Sequence, residues 1–144
     1  MTEAPSNEPN PAFIGTISSV VALVRDENER ILLASFSENG PWSCIGGGMV
    51  DGQDLSSAAA KFARIDCGLT VEVGDVVAVL AGDQYRVLYE WGADVKWVAT
   101  VFDARLVAHD ESAPMLVNWF NANELAGIEL DAFAAVALAD LELW

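Results

Sequence analysis

At 144 residues and 53% hydrophobic content, the chain is long enough to bury one good core and too apolar to stay disordered. Its 22 acidic residues against 7 basic ones leave a net charge of −15, which sets long-range repulsion against DNA, RNA and anionic membranes. The same repulsion opposes a phosphate-bearing ligand unless a metal ion or a local basic cluster intervenes.

Residues 1–11 are polar and proline-rich and lack the basic-then-apolar layout of a signal peptide. They are expected to form a flexible leader to a single domain over residues 12–144. Thr16–Arg25 is a β-branched run that predicts a strand, closed by the turn Asp26-Glu27-Asn28. Ile31–Phe36 predicts a second strand. Glu38-Asn39-Gly40-Pro41 forms a turn cluster, Trp42–Ile45 a short extended piece, and Gly46, Gly47 and Gly48 are expected to break any regular element.

The clearest local element is a helix with Asp54 as N-cap and Gly68 as its stop after Cys67. Thr70–Leu80 is valine-rich and extended. Gln84–Tyr89 and Val95–Val107 predict a hairpin around Trp91-Gly92-Ala93-Asp94. Met115–Phe120 is a last short strand, Asn121–Ala126 a short helix and Asp131–Leu141 a final one. Strands, a helix, more strands and a C-terminal helix argue for a mixed sheet between helices. No apolar run reaches the length of a membrane span. Two cysteines, Cys44 and Cys67, are too few for a disulfide framework and too sparse for a zinc site, so a reducing cytoplasm is the expected compartment.

A glycine-rich turn entering a helix can hold a pyrophosphate, because glycines allow close backbone approach and the helix N-terminus offers free amides. Here that turn has more specific company. Gly47-Gly48-Met49-Val50-Asp51-Gly52-Gln53, then Ala58-Ala59, then Gly68-Leu69, resembles the Nudix box in residue type and spacing. Ile31-Leu32-Leu33 and Trp42 before it, and Trp119-Phe120 with Asn123-Glu124-Leu125 after it, resemble the family's flanks. The resemblance spans nearly everything after Pro11. It implies an α/β Nudix fold, a mixed β-sheet sandwiched between helices.

The resemblance also implies a site, and there the sequence departs from the family. Nudix boxes supply a glutamate after the loop, then an Arg-Glu and a Glu-Glu pair on the helix. These hold Mg²⁺ or Mn²⁺ and activate water against a diphosphate. At those positions this chain has Gln53, Lys61, Phe62, Ile65 and Asp66. Phe62, Ile65 and Asp66 share one helix face by spacing, so a face built for three anions presents two hydrocarbons and one short carboxylate. Lys61 keeps a positive charge without the two-pronged donor of arginine. A second arrangement stays open: with alanine at position 63, Phe62 could turn inward as a core residue. Neither arrangement restores the carboxylates.

The ligand-binding candidates are Gly47, Gly48, Asp51, Lys61 and Asp66, and the weak metal candidates are Asp66, Gln53 and Asp51. Asp110 and Glu111 lie in a loop where family members often carry assisting acids. His109 is expected to be an ordinary exposed loop residue, and Cys44 a buried inert thiol. Trp42, Tyr89, Trp91 and Trp97 either line a pocket for a flat ligand or serve as core and dimer contacts.

Two functions follow. One is a Nudix-fold protein with a degenerate metal site, lacking the usual hydrolysis and acting as a ligand-binding or protein-interaction and regulatory domain, with no cofactor. The other is a hydrolase of nucleoside diphosphate-linked compounds, with Mg²⁺ or Mn²⁺ in a site rebuilt around Asp51, Gln53 and Asp66. The partner is a small molecule or a protein, with a homodimer compatible with five tryptophans; neither nucleic acid nor membrane is expected.

Overall fold

The computed structural model describes residues 13–49 and 52–143. The leader and Asp51 therefore lie outside the described residues. Seven strands and three helices follow in the order β1 (Ile14–Val24), β2 (Ile31–Ser35), β3 (Ile45–Gly48), α1 (Leu55–Cys67), β4 (Leu69–Leu80), β5 (Arg86–Leu88), β6 (Asp94–His109), β7 (Leu116–Phe120), α2 (Ala122–Leu125) and α3 (Ala132–Asp140). The main sheet runs β3-β1-β6-β4, with β5 added to β6. β1 and β6 are parallel, Val20 beside Thr100, while β3, β4 and β5 pair antiparallel. The expected mixed sheet is present.

Alternation along β1 divides the core. Val20, Ala22 and Val24 face α1, where they meet Ala59, Ala63, Cys67, Phe102 and Ala104. Val21 and Leu23 face the other way, toward Ala134, Ala137 and Leu138 of α3. The helix sits close to the sheet because its inward face is small: Ala58, Ala59, Ala63 and Cys67 are its buried residues.

The ends of α1 are fixed locally. The Asp54 carboxylate accepts from the Ser57 amide at 3.0 Å and from the hydroxyls of Ser56 and Ser57. These bonds, led by the Ser57 amide, hold the Asp54 carboxyl below its usual range. The sign follows: the cap's contribution is complete above about pH 4, the ordinary Asp range, and is lost as pH falls through the lower folded-state value. Asp54→Ala is expected to lower Tm at pH 7, with the difference from the parent closing toward pH 2 in thermal melts; a gap independent of pH would remove the charged cap from the account.

Three expectations need correction. Gly46, Gly47 and Gly48 do not break the chain; they form β3, paired to β1 through Val21, Val20 and Ser19. Strand pairing overrides glycine's poor propensity, and one of the glycines is sterically required: a Cβ on Gly46 would lie 1.9 Å from the Val20 carbonyl oxygen. Gln84 and Tyr85 belong to a 3₁₀ turn, not to the hairpin, whose first strand is only Arg86–Leu88. Tyr85 is buried there, its hydroxyl donating to Asp140 at 2.5 Å. His109 ends β6 and is no loop residue, although it is exposed. β2 and β7 form a separate two-stranded sheet, a pairing of distant segments that no local pattern announces. Among the described residues, no helix is long and apolar enough to cross a membrane.

Candidate functional site

The site region is built where β3 delivers the chain to α1. Successive strand residues point to opposite faces, so Gly47 and Gly48 do different things. Gly47 points toward α1, where a Cβ would come within 2.7 Å of the Phe62 ring. Gly48 points to the opposite face, where a Cβ would meet the Trp97 ring at 3.5 Å and Ile17 at 3.9 Å. The sequence groups these glycines as one ligand-binding pair; the sheet assigns them to two faces.

On the α1 side, Phe62 is half-buried and packs against the core between helix and sheet. Ala63 keeps a fully buried position of its own. Phe62 has therefore not exchanged places with Ala63; it lies across Gly47 beside the core. Ile65 is 53% exposed, and Lys61 is exposed one residue before Phe62. Asp66 is half-buried one turn beyond Phe62, and burial pushes its carboxyl above the usual value. Its backbone carbonyl accepts from the Met115 amide at 3.0 Å, tying the helix to the loop after β6. Gln53 is half-buried just before the helix.

In that loop Asp110 is exposed and turned onto its own neighbours: its carboxylate accepts from the Ser112 hydroxyl at 2.7 Å and amide at 3.0 Å. Those bonds hold it below the usual carboxylate range. Glu111 is exposed. No group of three or more His, Cys, Asp or Glu side chains that could hold a metal ion exists among the described residues. A divalent cation of the Mg²⁺ class asks for several oxygens, with carboxylates carrying the charge. At the box positions that carry ligands in the family, the described side chains offer one carboxylate, Asp66, and one amide, Gln53.

On the opposite face, the indole Nε1 of Trp97 donates to the Tyr89 hydroxyl at 3.2 Å, and Tyr89 stacks on Trp91 at 4.7 Å between centroids. These three aromatics form a cluster beside Gly48. Trp42 separates from them: it is buried, packed edge-on against Phe120 at 5.0 Å. The Cys44 thiol is pushed up to about 12, first by burial and then by Asp131, and Cys67 also to about 12, first by burial. Neither is a nucleophile at neutral pH.

The same architecture occurs in solved structures. A MutT protein from Methanosarcina mazei Go1 is 26% identical, with a TM-score of 0.62 over 83% of this chain and 87% of that one. The chain has the fold of the Nudix (MutT-like) proteins. An ADP-ribose pyrophosphatase from Streptococcus suis is 24% identical over 81% of this chain and 80% of that one, TM-score 0.59. A MutT Nudix hydrolase from Burkholderia pseudomallei is 20% identical over 76% and 85%, TM-score 0.59. These two share the Nudix fold with this chain. No family model and no curated protein matches the sequence.

In Nudix terms, the structure brings Gly47, Phe62 and Asp66 to one side of the sheet and leaves Gly48 with the aromatics on the other. What sequence reading missed is a groove of about 880 Å³ that shares no lining residue with the box. Its walls come from the turn between β1 and β2 and from β4, β6 and β7, and no local motif gathers them.

Proposed function

We propose that this Nudix-fold chain has given up metal-dependent diphosphate hydrolysis and serves as a ligand-binding or protein-interaction domain with a regulatory role. The observation that carries the reading is the Phe62 ring lying across Gly47, where the family pattern asks for a carboxylate. Hydrocarbon at that point displaces the water shell a hydrated cation would bring. Asp66 alone cannot offset the cost of dehydrating a doubly charged ion. The described residues do not fit Mg²⁺ or Mn²⁺, and no hydrolytic step is derived through either.

The ligand side of the proposal is supported by the Tyr89–Trp91–Trp97 cluster beside Gly48, which offers stacking area to a flat, weakly charged molecule. The protein-partner side is supported by β4, an edge strand of the main sheet on which Val76, Val77 and Val79 are 51%, 45% and 61% exposed. The alternative, a metal-dependent hydrolase, is favoured by the names of the structural relatives, which include a pyrophosphatase and a hydrolase. Titration calorimetry with Mg²⁺ and Mn²⁺, followed by a phosphate-release panel on nucleoside diphosphate-linked compounds, separates the two. Neither binding tighter than millimolar nor turnover is expected; micromolar metal binding accompanied by turnover would overturn the proposal.

A further inference from the structure

The ion pairs among the described residues engage Arg25, Arg30, Arg86 and Arg105. Of the chain's seven basic side chains, Lys61, Arg64 and Lys96 enter no ion pair among the described residues. Two of these three lie on α1, three residues apart and exposed. With a net charge of −15, carboxylates are plentiful, yet this helix keeps two cations that have none.

Helical spacing puts Lys61 and Arg64 opposite the face that Ala59, Ala63 and Cys67 bury against the sheet. The two acids of this segment do not reach them. Asp54 is engaged as N-cap by Ser56 and Ser57. Asp66, five residues beyond Lys61, is half-buried and turned about 140° from it around the helix. Beside the cations runs an apolar ridge. Ile65 is 53% exposed and Leu55 38%, and the half-buried Phe62 lies between them along the helix.

We propose that this face of α1 docks a segment of an acidic partner protein, with one apolar side chain of that segment against Ile65 and Phe62 and its flanking carboxylates on Lys61 and Arg64. The inference rests on the protein-interaction reading above and gives that partner its chemistry. Charge complementarity selects the occupant: unpaired cations beside exposed hydrocarbon match carboxylates beside an apolar anchor. A nucleic acid or an anionic membrane would set many charges against −15, whereas a short segment brings few. Screening over about 8 Å at physiological salt then leaves contact with Lys61 and Arg64 stronger than repulsion from distant carboxylates.

The test uses the full chain and a capped, fluorescently labelled peptide in which one leucine is flanked by glutamates. Two control peptides replace the glutamates by glutamine or the leucine by serine. By anisotropy, the glutamate–leucine peptide is expected to bind at least about tenfold more tightly than either control, and to weaken as salt is raised. Lys61→Glu with Arg64→Glu, both at exposed positions, is expected to lose about tenfold for that peptide and to gain for a lysine–leucine version. Ile65→Ser is expected to remove the advantage of leucine over serine. Lys96→Glu, on β6, is expected to leave binding unchanged. Equal binding of the three peptides, an equal loss in Lys96→Glu, or a dimer in light scattering that the double variant dissolves would each overturn the proposal. Mn²⁺ titrated into the same samples keeps the two readings apart. Micromolar Mn²⁺ binding with peptide binding retained overturns only the loss of the metal site, and a chain that binds neither overturns only the docking face.

Discussion

A variant carrying Gln53→Glu, Lys61→Arg, Phe62→Glu, Ile65→Glu and Asp66→Glu is expected to bind Mn²⁺ at least about tenfold more tightly than the parent, because affinity in oxygen-ligand sites follows carboxylate number. The geometry favours the experiment. Residues 62 and 66 stand one turn apart on α1, and removal of the Phe62 ring clears the space above Gly47. Position 65 is already 53% exposed and tolerates a carboxylate. The cost lies in Phe62 itself. Its half-buried ring packs against the core between helix and sheet, so the variant should lose about 2 kcal/mol, less than the 3–5 typical of a fully buried phenylalanine. Calorimetry for the metal and a urea melt for stability read the two effects separately. A folded variant that ignores Mn²⁺ would mean that the box is misplaced on this chain.

The second large effect concerns Gly68, where α1 turns into β4. Its φ is +69°, a left-handed conformation that suits glycine, and its amide closes the helix onto Arg64. Space excludes anything larger. A Cβ there would lie 2.1 Å from the Asp110 carbonyl oxygen, which belongs to backbone and cannot swing aside. The Gly68 carbonyl also accepts from the Asp110 amide at 2.8 Å, so the helix end and the loop after β6 are one unit. Gly68→Ala is expected to cost about 3 kcal/mol or more in denaturant unfolding, through strain and the loss of that contact. Gly52→Ala is the matched control: its φ is +83°, yet nothing lies within 4 Å of a Cβ there. A Gly68 variant no less stable than the Gly52 variant would show that the close approach to Asp110 is not what fixes this junction.

These two experiments probe different layers of the chain's information. Gly68 is legible as a stop from its ease with positive φ, while its close approach to Asp110 is tertiary. The N-terminal signal of α1, Asp54, acts within a few residues, and the sequence determines it alone, since its bonds are to Ser56 and Ser57. The same holds for Asn121 and Asp131, which cap α2 and α3 through their own side chains. The β1 strand and the mixed sheet were likewise legible, the strand because a β-branched run favours extended backbone and the sheet because the order of strands and helices argues for it. So was the Nudix fold, through the spacing of residues that resemble the Nudix box.

Tertiary structure decided what depends on residues far apart in the chain. It made β3 out of three glycines, because β1 supplies hydrogen bonds that glycine's own propensity opposes. It sent Gly47 and Gly48 to opposite faces, laid Phe62 across one and Trp97 against the other, and left Ala63 in the core. It also brought the turn between β1 and β2, with Arg25 and Arg30, beside Arg105 of β6 and Trp119 of β7. Local interactions write themselves into spacing along the chain, whereas the meeting of distant segments is set by pairing and packing, which no single stretch of sequence contains.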